Sequence, residues 1–433
     1  MNLPTVFALS TAPGKAGIAI VRVTGSKATM VVEELTGRDC PAPRQSVLRR
    51  LFDEAGELLD EALVLYFAAP SSFTGEDVVE FHCHGGRALT AAVLCRLAGF
   101  DGVEPAEPGE FTRRAFVNGK LDLAEIEGLS DLLSAETEAQ RRQSVAAVGG
   151  GIRQRAEAIR GHLLHALALI EATIDWADED VPEDVVPEVR EKLHEAAGEM
   201  RLLLSGAEQR ERLRAGFEVA LVGAPNAGKS SIMNKLADRE VALTTPIAGT
   251  TRDIIEVQLD LRGLPVTIID MAGLREGGEQ IERLGIQRAQ GRAERADLRV
   301  FVEAPDAALP DECASLMMPD DIIVSNKCDV ASGNHVAVSA LSGDGMSKLA
   351  DAIADRLEDR VPSEPGVAHA RQASEMRASL QNVTEAAAVL ETVGIEIVAE
   401  YLRSALVALE RLAGRAAPDD VLEAVFARFC LGK

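Results

Sequence analysis

The sequence predicts a multidomain chain of α+β and α/β type: a β-rich α+β domain at the N-terminus, a helical domain, and an α/β domain inserted into the helical one. Three observations carry this. Residues 1–118 alternate short apolar runs (VFALS, GIAIVRVTG, ALVLYFAAP, DVVEFHCHGG) with turn signals. From Lys120 onward Leu123, Ile126, Leu129, Leu132 and Leu133 recur at helical spacing. At residue 217 the run FEVALVG opens a buried-strand pattern, and it is followed by a glycine-rich turn and an amphipathic stretch.

Taken in order, the first domain spans 1–118 and the first part of the helical domain spans 119–214, with a break expected at Gly149, Gly150 and Gly151. Helical periodicity resumes after an acidic, proline-punctuated stretch at 178–187 and runs to Leu213. The α/β domain covers 215–358, VPSEPGV reads as a linker, and the helical domain closes over 359–433. A chain of 433 residues has room for two to four cores.

With 47% apolar and 26% charged residues the chain is globular and not disordered. Six cysteines without a C-x-x-C pair suggest neither disulfides nor a zinc site. A formal charge of −24 argues against broad adhesion to nucleic acid or anionic membranes, so any RNA contact must be local or shared. The longest apolar run, Phe217–Gly223, is too short to span a bilayer, and a soluble, cytoplasmic protein is expected.

The chemistry begins at GAPNAGKS, residues 223–230, which fits G-x-x-x-x-G-K-[ST] between a strand and a helix. Backbone amides there cradle phosphates, Lys229 neutralises their oxygens, and Ser230 offers a hydroxyl to Mg²⁺. Downstream, PVTIID ends in Asp270, Met271, Ala272 and Gly273, an acid for the metal and an amide for the γ-phosphate. Asn326, Lys327, Cys328 and Asp329 follow the apolar run DIIVS; Asp329 can accept both N–H bonds of a guanine edge, selecting GTP over ATP. Ser339, Ala340 and Leu341 match a loop that supports the base. Four matches in order make an accidental glycine-rich turn untenable.

Between these motifs TTPIAGTTRD, residues 244–253, resembles the first switch of Era-like GTPases, with Thr251 reaching Mg²⁺. Leu274 stands where Ras-like proteins carry a water-orienting glutamine. Two substitutes offer positive charge: a monovalent cation held by Asn226 and the threonine-rich loop, which is favoured, or Arg252 as a finger.

These motifs, with APGKAGIAIVRVTG, SFTGEDVVEFHCHGG, PGEFTRRAFVNGKLDLAEIEGLSDL, AGTTRD, AGLRE, IERLGIQRA and the closing FARFCLGK, resemble the MnmE (TrmE) family of tRNA-modification GTPases over essentially the whole chain. The resemblance implies an N-terminal tetrahydrofolate-binding-like domain that forms a homodimer, a helical domain, and an inserted P-loop GTPase domain that pairs on activation. It implies potassium-stimulated GTP hydrolysis coupled, with the flavoprotein MnmG (GidA) in a heterotetramer or larger complex, to installing a carboxymethylaminomethyl-type group at C5 of the wobble uridine of certain tRNAs.

Residue by residue, the resemblance puts K⁺ on Asn226, Thr245, Ile247 and Thr250, and Mg²⁺ on Ser230 and Thr251. Nucleotide contacts run through Ala227, Gly228, Lys229 and Ser231, then Pro246, Ala248 and Gly249 of the switch loop. The water-positioning glutamate falls on Glu282, otherwise a solvated helix residue beside Glu276 and Glu279. A 5-formyltetrahydrofolate pocket falls on Arg22, Glu80, Lys120 and Lys433, each an ordinary surface charge by sequence alone. Cys430 is either a thiol in the one-carbon chemistry or a packed hydrophobe.

His82, Cys83 and His84 lack a completing cluster and are read as a turn ending at Gly85 and Gly86. Met271 replaces a usual threonine, and the stretch between Phe301 and Asp321 is short, so a helix there is trimmed or lost. Two other classes compete: an Era-like GTPase of ribosome assembly, which would carry a basic KH module at the C-terminus, and a folate-dependent one-carbon enzyme with a regulatory GTPase domain.

Overall fold

β-Branched and aromatic residues at alternate positions build the first sheet. The computed structural model describes residues 3–175, 185–242, 255–270, 291–330, 335–362, 364–392, 394–427, 429 and 432. Its strands are β1 (Thr5–Leu9), β2 (Ala16–Thr24), β3 (Ser46–Phe52), β4 (Leu58–Phe67), β5 (Val78–Gly85) and β6 (Val103–Pro105), in the order β3-β4-β5-β2-β1-β6. Val21 and Val23 of β2, Val64 of β4, and Val79 and Phe81 of β5 point to one face. There they pack under α1 (Ala28–Thr36) and α2 (Arg87–Ala98) through Val31, Val32, Leu35, Val93 and Leu97. On the opposite face Val6 and Ala8 of β1 pack with Phe111 of α3 (Glu110–Val117), while Ile18, Leu48 and Leu63 stay exposed.

Two strands were not legible. β3 reads SVLRRLF, with two arginines at its centre, which an edge strand tolerates because one side of it meets water. β6 is three residues long and ends in a proline, also at an edge. The turn expected at His82 is instead the body of β5, where His82 faces Ile20 and Leu63 across the sheet. Among the described residues no His, Cys, Asp and Glu cluster suits a metal.

The chain divides into two compact units, residues 1–130 with 403–433, and residues 131–402. In the first unit Leu123 and Ile126 of α4 (Leu123–Ser134) bury against Val425 and Phe426 of the terminal helix (Asp419–Phe426) and against Phe429. The last described residue, Gly432, lies against β1: its φ is +88°, and a Cβ there would stand 2.4 Å from the Leu9 carbonyl oxygen.

In the second unit α5 (Glu138–Val148), α6 (Gly151–Asp175), α7 (Val186–Leu204) and α8 (Ala207–Ala215) precede the second sheet, and the break falls at Gly149 and Gly150. That sheet contains β7 (Phe217–Gly223), β8 (Val241–Ala242), β9 (Ile255–Leu261), β10 (Leu264–Asp270), β11 (Leu298–Glu303), β12 (Ile322–Ser325) and β13 (Val336–Ala337). Their order is β13-β12-β11-β7-β10-β9-β8. β10, β7, β11, β12 and β13 run parallel, so their carboxyl ends share one edge, while β9 pairs antiparallel with β10 and β8 antiparallel with β9. α9 (Lys229–Arg239) and α11 (Met346–Glu358) supply Ile232, Met233, Leu349 and Ile353 to the core. The expected trimmed helix is α10, the four residues Asp311–Ala314. Helices α12 (Ala370–Val389) and α13 (Ile395–Leu412) follow the linker.

Arg210, 3% exposed, fastens α8 to that linker. Its guanidinium donates to the carbonyls of Leu203 (2.9 Å), Ser205 (2.5 Å), Glu364 (2.9 Å) and Val367 (3.0 Å). Two of these carbonyls lie at the end of α7 and two in the linker, outside any strand pairing. Arg210→Leu should strip all four and lower stability by about 3 kcal/mol. A urea titration followed by circular dichroism checks this; an unchanged midpoint would show that the carbonyls find other partners.

Candidate functional site

The parallel strands of the second sheet bring the motifs to one edge. β7 ends at Gly223, the loop 224–228 follows, and α9 begins at Lys229 with Gly228 as its N-cap. Asp270 closes β10, Asn326 follows β12, and Ser339 follows β13. Between them lies a cleft of about 1020 Å³ lined by Asn226, Gly228, Lys229, Ser230, Ser231, Asn326, Lys327, Asp329, Ser339, Ala340 and Leu341. Three stretches, within 223–238, 326–330 and 339–341, thus share one wall.

The phosphate loop is held by its own groups. Lys229, 6% exposed, donates to the carbonyls of Gly223 and Ala224, each at 2.9 Å. Asn226 adopts a φ of +62°, a left-handed conformation uncommon for a residue with a side chain. The Ser230 hydroxyl donates to the carboxylate of Asp270, which is 1% exposed. A hydroxyl beside a buried carboxylate, at the start of a helix, is a hard-oxygen donor set that fits Mg²⁺.

Asn326 joins the two ends of the cleft. Its amide donates to the Ala227 carbonyl at 2.8 Å and its oxygen accepts from the Ala340 amide at 3.2 Å. Cys328 N–H donates to the Val338 carbonyl at 3.0 Å, and Ser339, fully buried, receives Ser342 N–H on its hydroxyl at 3.2 Å. Asp329 is left exposed at the wall with its carboxylate available to a ligand. Asn234, Lys235, Asp238 and Val330 also line the cleft. The sequence motifs do not contain them; helical spacing from Ser231 could have found the first three.

Thr245, Pro246, Ile247, Ala248, Gly249, Thr250 and Thr251, together with Arg252, lie outside the described residues, as do Met271, Ala272, Gly273, Leu274, Glu282, Cys430 and Lys433. Of the four residues expected to hold K⁺, the described one is Asn226, on the cleft wall.

A second constellation lies on the first sheet. Arg22 and Glu80 are directly opposed on β2 and β5, and both Arg22 Nε and Nη2 donate to Glu80 Oε1, at 2.9 and 2.8 Å. Burial opposes ionisation of Glu80, yet the charge and hydrogen bonds of Arg22, with those of His82, hold its carboxyl below the usual range. Arg22 stands over the rings of Phe73 and Phe111, at 5.9 and 5.7 Å, and donates to the Gly432 carbonyl at 3.3 Å. Lys120 donates to the Pro70 carbonyl at 3.0 Å, and Gly75 of the same 70–76 loop abuts its stem. One loop therefore touches both Arg22 and Lys120. Aromatic rings beside an arginine, with a carboxylate, a histidine and a lysine nearby, fit a ligand that joins a heterocycle to carboxylates, such as a folate.

Gly228 has a φ of +93°, and a Cβ there would meet Asn326 Nδ2 at 2.1 Å. Gly228→Ala should therefore displace Asn326 and weaken nucleotide binding about tenfold or more. Titration with a fluorescent guanine nucleotide measures it, and an unaltered Kd would mean that the loop and Asn326 are not coupled.

Two family models match the chain: the MnmE helical domain over residues 123–430, and the GTP-binding protein TrmE N-terminus over residues 5–120. The chain is 48% identical over 433 residues to a protein of Roseobacter denitrificans named tRNA modification GTPase MnmE, with all of both chains covered. A protein of the same name from Dinoroseobacter shibae is 47% identical over 433 residues, again with complete coverage of both. One from Parvibaculum lavamentivorans is 45% identical over 438 residues, also covering both completely. Matched end to end by these relatives and over most of its length by a single family model, the chain belongs to the MnmE family.

Proposed function

We propose that this protein is a GTP hydrolase that serves tRNA modification, and the observation that carries the reading is the single cleft where the phosphate loop meets Asn326, Asp329 and Ser339. Lys229 and the amides at the start of α9 receive the phosphates, and Ser230 and Thr251, with Asp270 nearby, would hold Mg²⁺. A metal held there would offset the negative charge of the phosphates. Asp329 accepts the two N–H bonds of guanine while Ala340 and Leu341 bound the base. Glu282 is the proposed water-positioning group, and Asn226 with Thr245, Ile247 and Thr250 the proposed K⁺ ligands, compensating for Leu274.

The finer task is to act with the flavoprotein MnmG on C5 of the wobble uridine of certain tRNAs, in the cytoplasm. Membership of the family supports it. Among the described residues no helix is long and apolar enough to cross a membrane. The described C-terminal segments are helices, which fits this reading better than a ribosome-assembly GTPase ending in a KH module. The exposed row Ile18, Leu48 and Leu63 supports homodimer formation through the first sheet. The pair Arg22 and Glu80, with Lys120, supports a formyltetrahydrofolate pocket, to which Lys433 and Cys430 are proposed to belong. The proposed division remains an N-terminal domain over 1–118 and a GTPase domain over 215–358 inserted into the helical domain.

Asp329→Asn converts a double acceptor into an amide matched to a carbonyl. Preference should move from guanine to xanthine nucleotides by about 10² or more. Competition binding with GTP and XTP decides it; retained preference for GTP would refute the assignment of the base pocket.

Hydrolysis should run at least about tenfold faster in KCl than in matched NaCl, because neutral oxygens replace the weaker hydration shell of the larger ion more readily. GTP binding should differ far less between the salts, since Lys229 and Asp329 need no monovalent ion. Equal turnover in both salts, with Asn226→Ala inert, would sink the cation and leave Arg252 as the candidate.

A further inference from the structure

Asp306 sits in the tight turn after β11, where Ala304 and Ala307 exchange backbone hydrogen bonds of 3.0 and 2.9 Å. Both its carboxylate oxygens take the ammonium of Lys327, at 2.6 and 2.7 Å. Among the described residues this carboxylate is the ammonium's polar partner, and the hydrogen bonds from Lys327, with its charge, hold the Asp306 carboxyl below the ordinary range. Lys327 lines the nucleotide cleft and Asp306 does not. The lysine is therefore tethered at its far end by a residue outside the cleft.

The flanking chain is already fixed. Asn326 is bonded to Ala227 and Ala340, Cys328 N–H to Val338, and Lys327 itself has a φ of +61°, uncommon for a side-chain-bearing residue. What the backbone contacts leave unfixed in this segment is the long lysine side chain, and a lysine stem carries much rotamer entropy. With the ammonium drawn outward, the methylene stem is what Lys327 offers to the cleft: an apolar strip beside the acceptor Asp329. Without the carboxylate, the ammonium would be drawn to the phosphates received by Lys229 in the same cleft, and the stem would leave the wall.

We propose that Asp306 is a positioning residue for base recognition: its carboxylate holds the Lys327 ammonium outside the cleft, so that the lysine stem forms the apolar wall against one face of the purine. This rests on the reading of the cleft as a guanine-nucleotide site. The carboxylate lies in the shortened stretch between β11 and β12, so that stretch retains a role in the site although its helix is reduced to Asp311–Ala314.

The test uses the full chain and GDP carrying a fluorescent label on its ribose. Asp306→Asn, nearly isosteric and on an exposed turn, should raise Kd about fivefold, the scale of one well-aligned exposed ion pair, chiefly through faster dissociation. KM for GTP should rise by a similar factor, with kcat shifting less. Asp306→Glu should return Kd to within about twofold, and in a Lys327→Met background Asp306→Asn should add nothing. If Asp306→Asn changes nothing, or weakens binding equally in the Lys327→Met background, the positioning role is overturned. If it lowers the thermal midpoint while leaving Kd unmoved, the role is likewise overturned. Asp329→Asn measured in parallel separates the two levels: a switch to xanthine keeps the base pocket whatever Asp306 does, and no switch removes pocket and proposal together.

Discussion

The Asn326 side chain is the contact on which the second unit's cleft depends. It is 3% exposed, and its one amide group spans the Ala227 carbonyl of the phosphate loop and the Ala340 amide of the base loop. Buried amides that satisfy both ends in this way are rigid, because any displacement strands a donor and an acceptor together. Gly228 is part of the same constraint, since only a residue without Cβ lets Asn326 approach the loop from which α9 starts. The distances between Lys229, Ser230 and Asp329 are thereby set by one side chain and by the spacing of parallel strands.

A different device positions the groups on the first sheet. Strand alternation sends Val21, Val79 and Phe81 into the core under two helices, and by the same period sends Arg22, Glu80 and His82 to the other face. Cross-strand register then places Arg22 directly opposite Glu80. The end of the chain is brought to this face by Gly432, whose carbonyl accepts from Ser10 and Arg22. A tail residue joins residues from the opening strands, an arrangement with more than 400 residues between partners, |i−j| being 410 for the Arg22 contact.

Much of the architecture was legible because its signals are local. Runs such as FEVALVG and DVVEFHCHGG carry strand periods, and Gly149 and Gly150 break a helical stretch where glycine disfavours helix. The phosphate loop was legible for the same reason, since a strand, a glycine turn and a helix are adjacent in the chain. β3 was hidden because its place at a sheet edge permits Arg49 and Arg50, and β6 because three residues carry no period. The end of the run DVVEFHCHGG, from His82, reads as a turn because paired glycines close it, although the strand continues to Gly85.

The sequence by itself determined the motif set, from Gly223 to Leu341, and with it the chemistry of phosphate, metal and guanine, because each motif is a short run whose backbone needs are met locally. It also determined the two kinds of sheet, through hydrophobic period. Tertiary structure alone decided which charges act together. Arg22 with Glu80, Arg210 with the carbonyls of Glu364 and Val367, and Lys327 with Asp306 are pairings between separate segments, and no period or propensity encodes them. They follow from strand order and register, which are settled by burying the apolar faces of all the strands at once.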